Sequence, residues 1–150
     1  MKIVFLCTGN LNRSAAAHAV ALWCGCSSVS SAGTSRNANK RRPMAKRTRV
    51  ALLAAGIPPQ LITRHRSQYV GDCTLTADDL VVGFQPSHQR WVEDNAPQCK
   101  YVSFASKCSR PDWSNKIPDP AFDARIAGEV IDEIVRTTPT LCRELMSCAD

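Results

Sequence analysis

The chain has 150 residues, 44% of them hydrophobic, which is enough for one domain with a proper core, and 1–150 is expected to form a single unit. No apolar run approaches the length of a membrane span, and Ile3 to Leu6 is too short for a signal-peptide core, so neither a membrane protein nor a secreted one is expected. The eight cysteines then point to free thiols in a reducing cytoplasm, and Cys24 and Cys26 form C-x-C rather than C-x-x-C, which argues against zinc.

In chain order, Ile3-Val4-Phe5-Leu6 suits a strand buried on both faces. From Ser14 the composition becomes helix material, Ala-Ala-Ala-His-Ala-Val-Ala-Leu-Trp. Cys7 to Arg13 must therefore be the tight turn from a strand end into a helix N-terminus, where free backbone N–H groups and the helix dipole make an anion cradle. Ser27–Ser31 reads as a second strand and Ser35–Pro43 as a polar loop. Met44–Ala55 reads as a helix that buries Val50, Leu52, Leu53 and Ala54 and ends at Gly56. Ile62–Ser67 is a weak strand or connector. Leu80 opens a third strand, Ser87 is the expected N-cap of a helix over His88–Asn95, and Lys100–Phe104 is the last strand. A proline-rich polar loop leads to a final helix from near Asp123, burying Ile126, Val130, Ile131, Ile134 and Val135 and expected to kink or restart at Thr138-Pro139. The cysteines other than Cys7 are expected to be small core residues. Strands alternating with helices predict an α/β doubly wound open sheet of about four parallel strands, with helices on both faces.

The net charge of +6 hides a polarity. No Asp or Glu precedes Asp72, a stretch that carries eleven Lys and Arg, whereas the remainder holds eight basic and thirteen acidic residues. The first half is therefore expected to face an anion. Nucleic acid would be one such partner for the basic run from Arg36 to Arg49. Only Phe5, Trp23 and Tyr69 are aromatic in that half, too few for a stacking platform, so nucleic-acid binding is not expected.

The side chains of the turn point to a chemistry. Cys7 lies at the mouth of the cradle, where a helix N-terminus and a guanidinium both favour a thiolate nucleophile. Arg13 offers a rigid fork that matches two phosphate oxygens. Gly9 and Asn10 tolerate the positive φ that a loop wrapped around one phosphoryl group requires. Ser14 can donate to the Cys7 sulfur. Thr8, Leu11 and Asn12 complete the predicted substrate cradle, and no metal or cofactor is called for. Transfer to a thiolate also needs an acid for the leaving oxygen. Asp119 in Ile117-Pro118-Asp119-Pro120 is one reading, and a helix-leading turn is the other; spacing alone leaves both open. His18 reads as a packed or exposed helix residue; His65 lies at the end of a connector, where orienting the loop is one reading, though nothing in the spacing shows it.

Cys-x5-Arg-Ser directly after an N-terminal strand resembles the low-molecular-weight protein tyrosine phosphatase family. The likeness runs along the whole chain, through Ala32-Gly33-Thr34, Leu52-Leu53-Ala54-Ala55-Gly56-Ile57, His65-Arg66-Ser67-Gln68, Asp78-Asp79-Leu80-Val81-Val82 and Ser87-His88. It implies strand order 2-1-3-4 and hydrolysis of phosphomonoesters, most of all protein phosphotyrosine, through a phosphocysteine. It also implies that Asp119 is the general acid. The expected partner is a phosphorylated protein or peptide, acidic near the phosphate, with the chain acting as a cytoplasmic monomer. Several positions depart from the family. Asn12 stands where relatives carry a second cysteine, Ala15 where they carry proline, and Ala121 where an aromatic follows Asp-Pro. No aromatic lies in 35–42, so Phe122 or Trp113 would have to stand in. The alternatives are an arsenate reductase, for which Gly83–Pro97 lacks cysteines, an arginine phosphatase, for which Leu11 replaces the expected threonine, and a catalytically weak phosphate-binding relative.

Overall fold

The computed structural model describes residues 1–147. Four parallel strands, β1 (Ile3–Cys7), β2 (Val29–Gly33), β3 (Leu80–Gly83) and β4 (Lys100–Ser103), form one sheet in the order β2-β1-β3-β4. Five helices connect and flank them: α1 (Arg13–Trp23), α2 (Lys46–Ala54), α3 (Pro59–Thr63), α4 (Pro86–Asn95) and α5 (Ala127–Ser147). The doubly wound arrangement and the strand order are those expected.

Side-chain alternation along β1 divides the interior. Ile3, Phe5 and Cys7 point into the larger apolar cluster, with Ala16 and Val20 of α1, Leu52 of α2 and Val130, Ile131 and Ile134 of α5. Val4 and Leu6 join the smaller cluster with Val81, Val92 of α4 and Val70. Being buried on both faces is what made β1 an unbroken apolar run.

Several boundaries move, each for a local reason. β2 begins and ends two residues later than expected because it pairs along all of β1, from Ile3↔Val29 to Cys7↔Gly33. α2 starts at Lys46 rather than Met44, since Ala45 N is drawn to the carbonyl of Leu11 (3.0 Å). Its buried residues are Thr48 and Leu52, while Val50 and Leu53 are 57% and 48% exposed, so the expected stripe is corrected. The stretch read as a weak strand is partly helical, because Pro59 at a first helical position starts α3. Pro86 likewise occupies the first turn of α4, so Gln85 rather than Ser87 stands at the N-cap. Asp123 caps a short 3₁₀ turn that leads into α5.

α5 does not restart at Pro139 but runs through it to Ser147. The ring removes one N–H donor, and the Thr138 hydroxyl turns back onto the carbonyl of Ile134 (2.6 Å). Burial of Thr138, Leu141 and Cys142 holds both halves against the core. Ile126 and Val135 are only partly covered. Cys26 and Cys142 are core residues; Cys24 is exposed, Cys73, Cys99 and Cys108 are half-buried, and Cys148 lies outside the described residues.

Candidate active site

The turn between β1 and α1 is held from every side. Cys7, 2% exposed, lies with its Sγ 2.8 Å from the Ser14 hydroxyl and receives the backbone N–H of Asn10 at 3.3 Å. The Asn10 side-chain amide donates to Ser14 Oγ (2.8 Å), which leaves the Ser14 hydrogen free for the sulfur. Asn10 is in the left-handed region (φ 58°), as expected, and is fully buried. Its Oδ1 accepts from Gln68 N (3.0 Å) and its carbonyl accepts from His65 Nε2 (2.7 Å). Gly9 does not share that conformation: φ is positive at Gly25 and Gly56 but not at Gly9. The glycine that the turn demands is instead Gly33 on β2, where a Cβ would stand 2.6 Å from the Thr8 carbonyl and 3.1 Å from Asn10 N.

Other elements complete the support. Asn12 Oδ1 accepts from the Thr48 hydroxyl of α2 (2.6 Å). Thr34 N donates to the Cys7 carbonyl and Ser35 N to that of Thr8, both at 2.9 Å, and half-buried Leu11 accepts from Ala45 N. His88 fixes Thr8: its Nδ1 accepts the backbone N–H of Phe84 (3.0 Å), so its Nε2 carries the proton and donates to Thr8 Oγ1 (3.1 Å). Burial, and then Arg13, push the His88 pKa down to about 3, so the ring stays neutral.

Arg13 is 1% exposed and its fork is aimed by three distant partners. Nη1 donates to Gln85 Oε1 (2.7 Å) and to the Ile117 carbonyl (2.9 Å), and Nη2 to Asp119 Oδ2 (3.2 Å). Its Nε is buried and has no partner among the described residues. Asp119 also accepts from the N–H of Ala121 at Oδ1 (2.9 Å), while Arg47 of α2 donates to the carbonyl of Pro120. Cys7, Arg13 and Asp119 are thus gathered at one corner. Beside it opens a cleft of about 630 Å³ lined by Thr8, Gln85, Trp113, Asp119 and Phe122. Phe122 is 89% exposed there; Trp113 is buried beneath the guanidinium of Arg110, 4.0 Å from the ring centre.

His18 is no part of this site. Its Nδ1 lies 3.0 Å from Ser31 Oγ, and burial, then His65 and Arg64, bring its pKa down to about 4. His65 does touch the loop, and its own pKa is lowered, mainly by burial. Nothing in the sequence announced these contacts of Gln85, Arg47 and Thr48, and His88 entered only through the family likeness, because each acts through a contact with a residue far along the chain. Among the described residues no cluster of His, Cys, Asp or Glu could hold a metal ion, and no helix is long and apolar enough to cross a membrane.

The family model for low molecular weight phosphotyrosine protein phosphatases matches residues 2–148, and the chain belongs to that family of hydrolases. No curated protein matches it. Among solved structures, the tyrosine phosphatase Wzb from Escherichia coli K30, in complex with sulphate, is similar at 19% identity over 96% of this chain and 97% of its own, with a TM-score of 0.75. Wzb from Vibrio vulnificus, in complex with benzylphosphonate, shares 18% identity over 95% and 97% of the two chains (TM-score 0.74). The YwlE arginine phosphatase from Geobacillus stearothermophilus shares 21% over 97% and 93% (TM-score 0.72). At such identities the likeness is one of fold.

Proposed function

We propose that the protein hydrolyses phosphomonoesters without a metal or cofactor, acting on protein phosphotyrosine through a phosphocysteine. Within that reading, the Cys7 thiolate attacks phosphorus in line, and Ser14 stabilises the sulfur as nucleophile and later as leaving group. Arg13 and the amides of Thr8, Gly9, Asn10, Leu11 and Asn12 hold the equatorial oxygens as their charge develops. Asp119 protonates the departing oxygen; the phosphate is then on sulfur, and a water that gives its proton to Asp119 releases it. Half-buried Leu11 and exposed Phe122 suit an aromatic ester better than a guanidinium phosphate. The preferred partner is a phosphorylated protein or peptide with acidic neighbours, met by a monomer in a reducing cytoplasm.

The observation that supports this reading most is the 3.2 Å pair between Arg13 and Asp119, residues 106 positions apart. A mere helix-leading turn at Asp119 would have no need of it. The test is p-nitrophenyl phosphate turnover with EDTA present, for wild type and Cys7→Ser, together with acid-quenched protein examined for phosphate on Cys7. Wild type should turn over and trap the phosphoryl group, and the folded variant should do neither. Activity that survives Cys7→Ser, or that EDTA removes, would overturn the mechanism.

A further inference from the structure

A second cavity, of about 220 Å³, is bounded by α1, β2 and the segment that follows α3, and it shares no lining residue with the cleft. Arg41, Arg64 and Arg66 line it with His18, His65 and Ser31. We infer that this cavity is a second anion site, separate from the Cys7 loop, which takes a small dianion of the phosphate class.

Charge is the first argument. Three exposed arginines line one cavity and no carboxylate lines it, and one of them, Arg66, also donates to the carbonyls of Thr63 and His65. None is at hand nearby in the chain either, since the whole stretch before Asp72 contains no acid. Like charges gathered around a partly enclosed space repel one another unless an anion enters. The same field acts on the two rings: after burial, Arg64 contributes to the depression of His18, and Arg66 and Arg41 to that of His65.

Geometry is the second. The volume corresponds to roughly seven waters, room for a phosphate with a small substituent but not for a length of polymer. Arg41 stands in left-handed backbone (φ 54°) immediately after the 3₁₀ turn Arg36–Lys40, a conformation that non-glycine residues seldom adopt. Ser31 and Gln68 add neutral polar groups to the lining, and the Nε2 of His65 is bonded to the Asn10 carbonyl. One imidazole therefore touches both the cavity and the back of the phosphate-binding turn, so the occupant would be felt there.

The three histidines supply the test, because His18 lines the cavity while His88 bonds Thr8 in the turn. Inorganic phosphate is titrated into the full-length protein while the ring resonances of both are followed by NMR, with chloride at matched ionic strength as the control. The expected result is a saturable His18 curve whose midpoint differs from that of His88. Arg64→Gln combined with Arg41→Asn, which keeps a residue tolerant of positive φ, should raise the His18 midpoint by about tenfold and leave the His88 curve in place, which also shows that the variant is folded. No His18 response, a response that chloride reproduces, or a His18 midpoint that the variant does not move would overturn the inference. The readout needs no turnover, so it stands or falls separately from the hydrolase reading.

Discussion

His88 donates to the Thr8 hydroxyl because the backbone N–H of Phe84 already occupies its other nitrogen. The tautomer is set by the end of β3, and the Thr8 hydrogen is left free to turn toward the cradle. Replacing His88 by Ala strands a buried backbone donor, which should cost about 1–3 kcal/mol of stability. Thr8→Val strands only the ring N–H and should cost no more than that. Urea unfolding of the two variants checks this, and a His88→Ala change near zero would contradict it.

Acid should destabilise the protein well before its carboxylates titrate. His18 and His88 are held down at about 4 and about 3, and His65 is lowered too, each chiefly by burial. Between those values and the ordinary histidine value near 6.5, the unfolded chain binds more protons than the native one. Stability is therefore complete above about pH 6.5 and is lost as pH falls, by up to about 1.4 kcal/mol per pH unit for each histidine. Urea midpoints measured from neutral pH down toward about 4.5 should fall steadily; a flat profile would show that the rings are not buried as described.

Asp119→Asn should slow esters with poor leaving groups by about 10²–10⁴-fold and hardly affect those with good ones, since only the former need a proton. The measurement is kcat across a series of aryl phosphates of graded leaving-group pKa. An equal loss throughout would assign Asp119 to holding Arg13 rather than to proton transfer.

Peroxide should inactivate the protein less reversibly than it does relatives with a second cysteine in the turn. Asn12 is engaged with Thr48 and has no thiol to capture a Cys7 sulfenic acid. Thiol treatment after mild oxidation should restore only part of the activity. Full recovery with a disulfide mapped to Cys7 would refute this and identify the resolving residue.

Phosphopeptides with Glu beside the phosphorylated residue should be cleaved faster than those with Lys, chiefly through kcat/KM and mainly at low salt. Ser35 N and Ala45 N tie both ends of the basic segment to the turn, at the carbonyls of Thr8 and Leu11. Lys40→Glu with Arg42→Glu should remove the preference while p-nitrophenyl phosphate is turned over as before. Equal rates at low salt would show that this charge serves something else.

The parts of the molecule that could be read in advance are those whose physics is local. β1 was legible because four consecutive apolar residues meet apolar surface on both sides, and the turn because a thiol, a guanidinium and a hydroxyl crowd a strand-to-helix corner. α2 was misread because Val50 and Leu53 have the right spacing for a buried face, yet the chain around α3 covers them only in part and leaves them 57% and 48% exposed. Gly9 drew notice as a glycine in the turn, yet the steric demand falls on Gly33 in another strand. Nothing near Gln85 or His88 in the chain announces that their partners are Arg13 and Thr8. Such contacts belong to the tertiary fold.

The partners of Arg13 lie 72, 104 and 106 residues downstream, so the guanidinium comes under control only when the last third of the chain is in place. The segment that holds Cys7 and Arg13 therefore precedes in the chain every one of the groups that aim the guanidinium. Contacts of such long sequence separation form late and slowly, because loop closure must precede their reward. Competence should appear together with global folding, and a nascent or C-terminally shortened chain should carry the intact Cys-x5-Arg stretch as an inert peptide.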